Sequence, residues 1–312
     1  MLTVLYAAEP ELWGEYQPAL QDALTRAGVA AQLVLPGQIA PEAVDYIVFA
    51  PAGPISDFAP YTRTRAVLSL WAGVERIVGN ATLTQPLCRM VDDGLERGMV
   101  EWVTGHVLRH HLDIDRWIGA QDGVWRNDVF PPLATERRVT VLGLGVLGAA
   151  CARMLAHIGF DTAGWSRSPK AIPGIHCLSG ADGLTQALQR ADILVSILPN
   201  TPQTQGLLNA ETLALLPRGA VIVNPGRGSL IDDAALLAAL DAGQVGHATL
   251  DVFNTEPLPV DHPYWAHPRV TVTPHIAAAT RPGTAAAVIA ENIRRGEAGA
   301  PFLHLVDRGR GY

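Results

Sequence analysis

The sequence predicts an α/β protein with two doubly wound parallel-sheet domains and a cleft between them. Strand-like apolar runs alternate with helix-like segments along the chain, and this order gives parallel sheets that are covered on both faces. The chain has 312 residues, of which 48% are hydrophobic and 17% charged, so it can bury two ordinary cores. A glycine-rich turn between a strand and a helix, at 137–150, identifies the second domain.

The first domain begins with a predicted strand at 2–8 and an amphipathic helix at about 11–27. Further strands are predicted at 31–35, 46–50 and 66–71. The last strand ends in Trp71, Ala72 and Gly73, at the sheet edge where open α/β sheets bind ligands. From the residues alone, an anion-binding backbone and a plain turn explain Gly73 equally well.

A long helix is predicted from about 98 to 117, followed by a surface arm at 119–132. The helix carries more large apolar residues than a solvated linker needs. It therefore either bridges the two domains or packs against a partner chain.

The turn that follows fits the pattern G-x-G-x-x-G with Gly143, Gly145 and Gly148. The first glycine allows a tight turn, the second lets the backbone approach a pyrophosphate, and the third lets the helix pack on the strand. The helix N-terminus adds N–H groups and partial positive charge. Because a strand-like run precedes this turn and a helical run follows it, a dinucleotide site in a Rossmann-type domain is predicted. The further strands of this domain are predicted at 161–165, 193–198, 220–224, 248–253 and 270–273.

The residues after the second strand of this domain indicate which dinucleotide binds. An acidic residue there holds the ribose hydroxyls of NAD, whereas an arginine accommodates the 2′-phosphate of NADP. This chain has Ser166, Arg167, Ser168 and Lys170 and no carboxylate at this position. A phosphate needs hydrogen-bond donors and positive charge, so NADP(H) is predicted over NAD(H).

Three later loops each follow an apolar strand and carry Arg227, Glu256 and His275. These side chains suit the reduction of a 2-keto acid. The guanidinium can hold a carboxylate and polarise a ketone. The imidazolium can donate the proton that accompanies hydride, and a neighbouring carboxylate orients it and favours its charged form. Each residue alone also has a structural explanation, but the three together beside a dinucleotide motif indicate catalysis.

Composition excludes several other classes of protein. The net charge is −7 with both signs interspersed, which argues against nucleic acid as the main partner. The three cysteines have no metal-like spacing, no metal site is expected, and their odd number suits a reducing compartment. The sequence has no recognisable signal peptide or membrane-spanning run, so a cytoplasmic protein is expected.

These motifs together resemble the D-isomer-specific 2-hydroxyacid dehydrogenase family, and within it the short bacterial glyoxylate/hydroxypyruvate reductases. The resemblance covers nearly the whole chain and is weakest in residues 1–65. It is carried by residues 142–148, 165–167, 198–202, 227–228, 250–253, 256–258 and 273–275 and by the tail 306–312.

The resemblance implies NADPH-dependent reduction of glyoxylate to glycolate and of hydroxypyruvate to D-glycerate. Arg227 would bind the substrate carboxylate and carbonyl, His275 would donate the proton, and Glu256 would pair with His275. Trp71, Ala72 and Gly73 would form the carboxylate-binding loop. The cofactor would contact Gly143, Gly145, Val146, Leu147, Gly148, Ser166, Arg167, Ser168, Lys170, Leu198, Pro199, Thr204, Gly226 and Asp251.

The expected domains are a flavodoxin-like substrate domain at 1–98 and 282–312 and an NADP-binding Rossmann domain at 99–281. Residues 99–132 would be the crossing helix and an arm that embraces a second subunit in a homodimer. Two alternatives stay open: a reductase of larger 2-keto acids such as phenylpyruvate, and a dinucleotide-binding co-repressor-like module. The intact Arg, Glu and His argue against the second alternative.

Overall fold

The computed structural model describes residues 1–127, 129–309 and 311. The chain divides into two compact units, Met1–Leu95 with Ala279–Tyr312 and Glu96–Ala278. Residues 96–98 are predicted in the first domain and 279–281 in the second, and each triplet lies in the other unit.

The first unit contains a parallel sheet with the order β2-β1-β3-β4-β5, which is the flavodoxin-like order. Its strands are β1 Leu2–Ala7, β2 Ala31–Val34, β3 Tyr46–Phe49, β4 Ala66–Ser69 and β5 Leu87–Cys88, and its helices are α1 Trp13–Arg26 and α8 Pro282–Glu297.

Side chains of successive strand residues enter two separate cores, which explains why the strands are continuous apolar runs. Val4 and Tyr6 of β1 pack in the core that contains Leu20 of α1 and Ile289 of α8. Leu5 and Ala7 enter the opposite core, where non-helical segments around Phe58, Val74 and Leu83 supply the cover. Helices therefore cover one face of this sheet, and loops cover the other.

The C-terminal tail packs within the first unit. Phe302 packs against the helix-side core, and Val306 is buried in the opposite core. Leu305 forms an antiparallel bridge with Cys88 of the edge strand β5. Burial therefore explains the apolar character of Phe302 and Val306, whereas Leu305 is 57% exposed.

The second unit contains a seven-stranded parallel sheet with the order β12-β11-β10-β9-β6-β7-β8. Numbered from β6, this is the Rossmann order with one added strand at the β12 edge. Its strands are β6 Arg138–Leu142, β7 Asp161–Ser166, β8 His176–Ser179, β9 Ile193–Ser196, β10 Ala220–Asn224, β11 Val245–Leu250 and β12 Val270–Val272. Its helices are α2 Asp93–His111 from Glu96 onward, α3 Ile114–Gly119, α4 Val146–Ile158, α5 Gly180–Arg190, α6 Ala210–Leu213 and α7 Asp233–Asp241.

Helices cover both faces of this sheet. Cys151 of α4 and Val103 of α2 lie in one core, and Leu188 of α5 and Leu236 of α7 lie in the other. The strand order reverses between β6 and β9, and in open α/β sheets ligands bind beyond the carboxyl ends of the strands at such a point. The two sheets confirm the predicted fold class.

Several predicted element bounds are wrong. The single helix predicted over 98–117 is two helices, because Asp113 adopts a left-handed conformation with φ of 53° and ends the run. The strands β5 and β8 were not predicted, since one has two residues and the other is only half-buried. Among the residues described, no helix combines the length and apolar character that crossing a membrane requires.

Candidate active site

The glycine turn joins β6 to α4 at the point where the strand order reverses. Gly143 has φ of 103°, which side chains rarely tolerate, and a Cβ on Gly148 would collide with the carbonyl oxygen of Gly143. Gly145 differs, because a Cβ there would have no atom within 4 Å. The helix α4 begins at Val146, and its N-cap residue Gly145 has no side chain that could pair with the first N–H groups of the helix. This turn therefore has room and donors for a pyrophosphate.

The end of β7 carries the residues predicted to select NADP. Ser166 is buried and donates a hydrogen bond from its hydroxyl to the carbonyl oxygen of Ser168 at 2.8 Å. Arg167, Ser168 and Lys170 are exposed. The short Ser166 contact fixes the turn, and the cationic side chains extend into solvent where a 2′-phosphate can reach them.

The loops after β9 and β10 lie against each other, and Ile197 of the first also contacts the glycine turn at Gly143. A Cβ on Gly226 would come within 2.6 Å of the carbonyl oxygen of Ser196, so the loops after β9 and β10 are in direct contact. Thr204 donates to the carbonyl oxygen of Pro199 at 2.6 Å and thereby closes the loop that begins with the buried Leu198. The Thr204 hydroxyl therefore stabilises the loop to which it belongs.

Arg227 follows β10 and is half-buried. Its Nη1 donates to the carbonyl oxygen of Gly226 at 2.7 Å. The buried Asn224 fixes this loop, since its side-chain amide donates to the carbonyl oxygen of Arg227 at 3.0 Å and its oxygen accepts from the Gly226 N–H at 3.1 Å.

His275 and Glu256 form a pair at the ends of β12 and β11. The Nδ1 atom of His275 lies 2.8 Å from Oε2 of Glu256, and Oε1 of Glu256 accepts from the N–H of Phe253 at 2.9 Å. Because a carboxylate only accepts hydrogen bonds, Nδ1 is the donor and Nε2 is left to carry an exchangeable proton. The side chains are 53% and 36% exposed, so this pair adds little stability, and its geometry suits proton transfer better than structural support.

The side chain of Asp251 is fully buried at the end of β11. Its oxygens accept hydrogen bonds from the Thr273 hydroxyl at 2.6 Å and from the N–H groups of Ile276 and Ala277 at 2.9 Å each. All three donors belong to the loop that carries His275.

A pocket of about 400 Å³ adjoins the His275–Glu256 pair. The rest of its lining is apolar or aromatic and consists of Phe253, Pro257, Leu258, Trp265, Val272 and Pro274. The pair therefore borders an apolar pocket while both side chains stay accessible to solvent.

The remaining predicted residues lie in the first unit. Trp71, Ala72 and Gly73 are half-buried just after β4. The Trp71 N–H donates to the Ser69 hydroxyl at 3.0 Å, and the guanidinium of Arg76 lies 5.8 Å from the centroid of the Trp71 ring. Their role in substrate binding stays a prediction.

Sequence reasoning missed the residues that hold the functional loops. Asn224 is the last residue of an apolar strand and Thr273 follows another, and neither was singled out. A polar residue that ends a buried strand is the signal that could have found them, because a buried polar group must find hydrogen-bond partners.

A Rossmann sheet with a histidine–carboxylate pair and an arginine at its carboxyl edge defines the class of dinucleotide-dependent dehydrogenases. The chain belongs to the D-isomer specific 2-hydroxyacid dehydrogenase family, whose NAD binding domain model matches residues 103–277. This finding confirms the family resemblance inferred from the sequence.

Individual relatives support the same assignment. A glyoxylate/hydroxypyruvate reductase A from Yersinia enterocolitica is 41% identical over 80% of this chain and 82% of its own length. A D-isomer specific 2-hydroxyacid dehydrogenase from Xanthobacter autotrophicus Py2, crystallised with NADPH and MES, is 44% identical with a TM-score of 0.92 and 99% of both chains covered. An NADPH-dependent glyoxylate/hydroxypyruvate reductase from Sinorhizobium meliloti, crystallised with NADP and sulfate, is 34% identical with a TM-score of 0.88 and 100% of both chains covered.

Proposed function

We propose that this protein reduces small 2-keto acids with NADPH, converting glyoxylate to glycolate and hydroxypyruvate to D-glycerate. The observation that carries the proposal is the His275–Glu256 pair, with its 2.8 Å contact, in a chain that matches named glyoxylate/hydroxypyruvate reductases. Arg227 follows β10, the strand next to β11, which places its loop beside the loop that contains Glu256.

In the proposed reaction, bound NADPH supplies a hydride to the carbonyl carbon of the substrate. His275 gives the proton on Nε2 to the carbonyl oxygen, and Glu256 holds the ring through Nδ1. The guanidinium of Arg227 binds the substrate carboxylate and stabilises negative charge that develops on the oxygen. Backbone N–H groups at Ala72 and Gly73 are proposed to share the carboxylate.

The residues around the glycine turn fit NADPH. The open space at Gly145 and the uncapped N-terminus of α4 suit the pyrophosphate, and Arg167 with Lys170 suits a 2′-phosphate. Relatives with 44% and 34% identity were crystallised with NADPH and NADP, which supports the same cofactor here.

The change His275→Gln tests the proposal. Glutamine keeps a polar side chain of similar reach but cannot act as a general acid, so turnover of glyoxylate should fall by ~10²-fold or more. The measurement is NADPH oxidation at 340 nm (the nicotinamide absorbance), together with a fluorescence titration of NADPH that should give an unchanged dissociation constant. Near-normal turnover would refute the role of His275, and a wild-type protein inactive on both glyoxylate and hydroxypyruvate would refute the proposed function.

One observation favours a second candidate within the same chemistry. The pocket beside the pair is mainly apolar and has a volume of about 400 Å³, which is ample for a substrate with a large side chain such as phenylpyruvate. A panel of 2-keto acids assayed with NADPH separates the candidates, because kcat/KM for phenylpyruvate above that for glyoxylate and hydroxypyruvate would select the larger substrate.

We also propose a cytoplasmic homodimer that associates through residues 99–132. Within this stretch large apolar side chains are exposed that a monomer would leave in water, with exposed fractions of 68% at Ile118 and, on the arm, of 89% at Trp125 and 80% at Phe130. A second copy of the same chain is the occupant we propose for this surface, since closed symmetric dimers are the commonest oligomers.

A further inference from the structure

We infer that Asp251 is a positioning residue, whose carboxylate holds the loop that presents His275. This inference rests on the proposed function of His275 as the proton donor. It gives Asp251 a role that differs from the cofactor contact implied by family resemblance.

The hydrogen bonds of Asp251 all point to one segment of chain. Its oxygen Oδ1 accepts from the Thr273 hydroxyl at 2.6 Å and from the Ile276 N–H at 2.9 Å, and Oδ2 accepts from the Ala277 N–H at 2.9 Å. The residue is 0% exposed. A buried carboxylate is costly unless it is well hydrogen-bonded, so these donors are what makes its burial tolerable.

The backbone conformation at His275 requires hydrogen bonds that stabilise it. His275 has φ of 54°, a left-handed conformation that costs energy for any residue other than glycine and persists only where its surroundings enforce it. Consecutive N–H groups beside a left-handed residue form a concave anion-binding nest. Here the N–H groups of Ile276 and Ala277 form the nest, and the carboxylate of Asp251 fills it.

The main chain of Asp251 holds the same loop from the other side. The N–H of His275 donates to the carbonyl oxygen of Asp251 at 2.9 Å and is shared with the carbonyl oxygen of Thr273 at 3.0 Å. Glu256 thus orients the imidazole ring through Nδ1, whereas Asp251 fixes the backbone on which the ring is carried. An exposed histidine on a loop needs both constraints to keep Nε2 in place for proton transfer.

The change Asp251→Asn tests the inference because it removes the charge and one acceptor while keeping the shape. With its oxygen at the Oδ1 position, the new NH₂ group faces the N–H of Ala277. In the flipped orientation it faces the N–H of Ile276. Either orientation sets two donors against each other, so the nest should loosen.

A matched control is Asp45→Asn. Asp45 is also 0% exposed and accepts from the Thr3 N–H at 2.8 Å and from Arg63 Nε at 2.9 Å, but it lies in the first unit. A second pair of variants, Thr273→Val and Thr273→Ser, removes and restores the hydroxyl donor without touching the carboxylate.

Three readouts are measured on the full chain: kcat and KM for glyoxylate at saturating NADPH, the NADPH dissociation constant, and amide hydrogen exchange of residues 273–278. For Asp251→Asn we expect kcat to fall ~10-fold or more, since a misplaced general acid loses part of its ~10²-fold or larger contribution. Exchange at 273–278 should accelerate, and because kcat is measured at saturating NADPH, its fall should persist whether or not the NADPH dissociation constant changes. Thr273→Val should move kcat and exchange in the same direction by less, Thr273→Ser should restore both, and Asp45→Asn should change neither.

The opposite pattern overturns the inference. If Asp251→Asn weakens NADPH binding while kcat at saturation and loop exchange stay at wild-type values, Asp251 is a cofactor contact. If Asp251→Asn fails to fold, the Thr273 pair decides, and equal kcat and exchange in Val and Ser variants reject the inference. A wild-type protein without reductase activity would reject the proposed function alone, because the exchange measurement still tests whether Asp251 holds the loop.

Discussion

Gly145→Ala should separate folding from cofactor binding at the glycine turn. Gly145 has φ of −73° and ψ of −166°, which alanine adopts without strain, and its added Cβ would meet no atom within 4 Å. Alanine also has fewer unfolded conformations to lose, so the free energy of unfolding should be unchanged or rise by about 0.4–1 kcal/mol. The new methyl would stand at the N-terminus of α4, where the pyrophosphate must approach.

The substitution should therefore weaken the binding of NADPH. Displacing the pyrophosphate from one N–H group loses a hydrogen bond to a charged group, worth about 1.5–3 kcal/mol. At 1.4 kcal/mol per factor of ten, the dissociation constant should rise roughly 10- to 100-fold. Urea unfolding and NADPH fluorescence titration measure the two quantities on one sample.

Two other glycines provide the controls. Gly14 in α1 also has open space around its Cβ, so Gly14→Ala should leave the NADPH dissociation constant unchanged. Gly148→Ala should instead destabilise the fold, because its Cβ would collide with the carbonyl oxygen of Gly143. A stable Gly145→Ala variant that binds NADPH as tightly as the wild type would refute the placement of the pyrophosphate.

Three further predictions follow from single features of the structure. Arg167→Ala should raise KM for NADPH roughly 10-fold or more, the scale of one charge-assisted contact, without raising KM for NADH; equal effects on both would contradict a 2′-phosphate contact. Trp125→Ser should shift the protein towards monomer in sedimentation velocity, since Trp125 is 89% exposed on the arm, and an unchanged sedimentation coefficient would count against its place in a dimer. Burial lowers the pKa of His110 to about 3 and that of His247 to about 4. Below about pH 6.5 the unfolded chain therefore binds more protons than the folded one. The free energy of unfolding should decline by up to ~1.4 kcal/mol per pH unit for each histidine as pH falls towards 4. In urea unfolding, the free energy of unfolding of His247→Gln should decline less steeply with falling pH than that of the wild type, and an unchanged slope would contradict the prediction.

The sequence predicted the sheets well because the signals are local and repeated. The strands β1, β3 and β10 are apolar runs, and the structure has them within one residue of the predicted bounds. The strand β5 has only two residues, which is too short for a hydrophobic periodicity to be recognised in the sequence. The helix break at Asp113 was not predicted either, because the apolar pattern continues across it into α3.

The candidate site was predictable to the level of residue types and loops. Arg227, Glu256 and His275 each follow an apolar strand, and the parallel order of β10, β11 and β12 brings those loops to one edge. The pairing of Glu256 with His275 was expected from the sequence and is present in the structure, but the hydrogen bonds that hold the loops were not predictable, because they depend on backbone conformation. The left-handed φ of His275 and the nest that Asp251 fills leave no trace in composition or periodicity.

Two functional loops in the second unit are each held by a buried polar residue at the end of a strand, in one case the strand that precedes the loop (β10) and in the other its neighbour (β11). Asn224 holds the loop of Arg227 and Asp251 holds the loop of His275, and both are 0% exposed. A buried polar group must be hydrogen-bonded, and the nearest unpaired groups beyond a strand end belong to the loops at the same edge of the sheet, which follow that strand or its neighbour. The hydrogen bonds of Asn224 and Asp251 therefore fix the backbone beneath Arg227 and His275, whose side chains stay partly exposed. Reactive groups held rigidly at a solvent-accessible edge are what positioning and electrostatic preorganisation require, so the desolvation cost of these two residues is met by the same contacts that place Arg227 and His275.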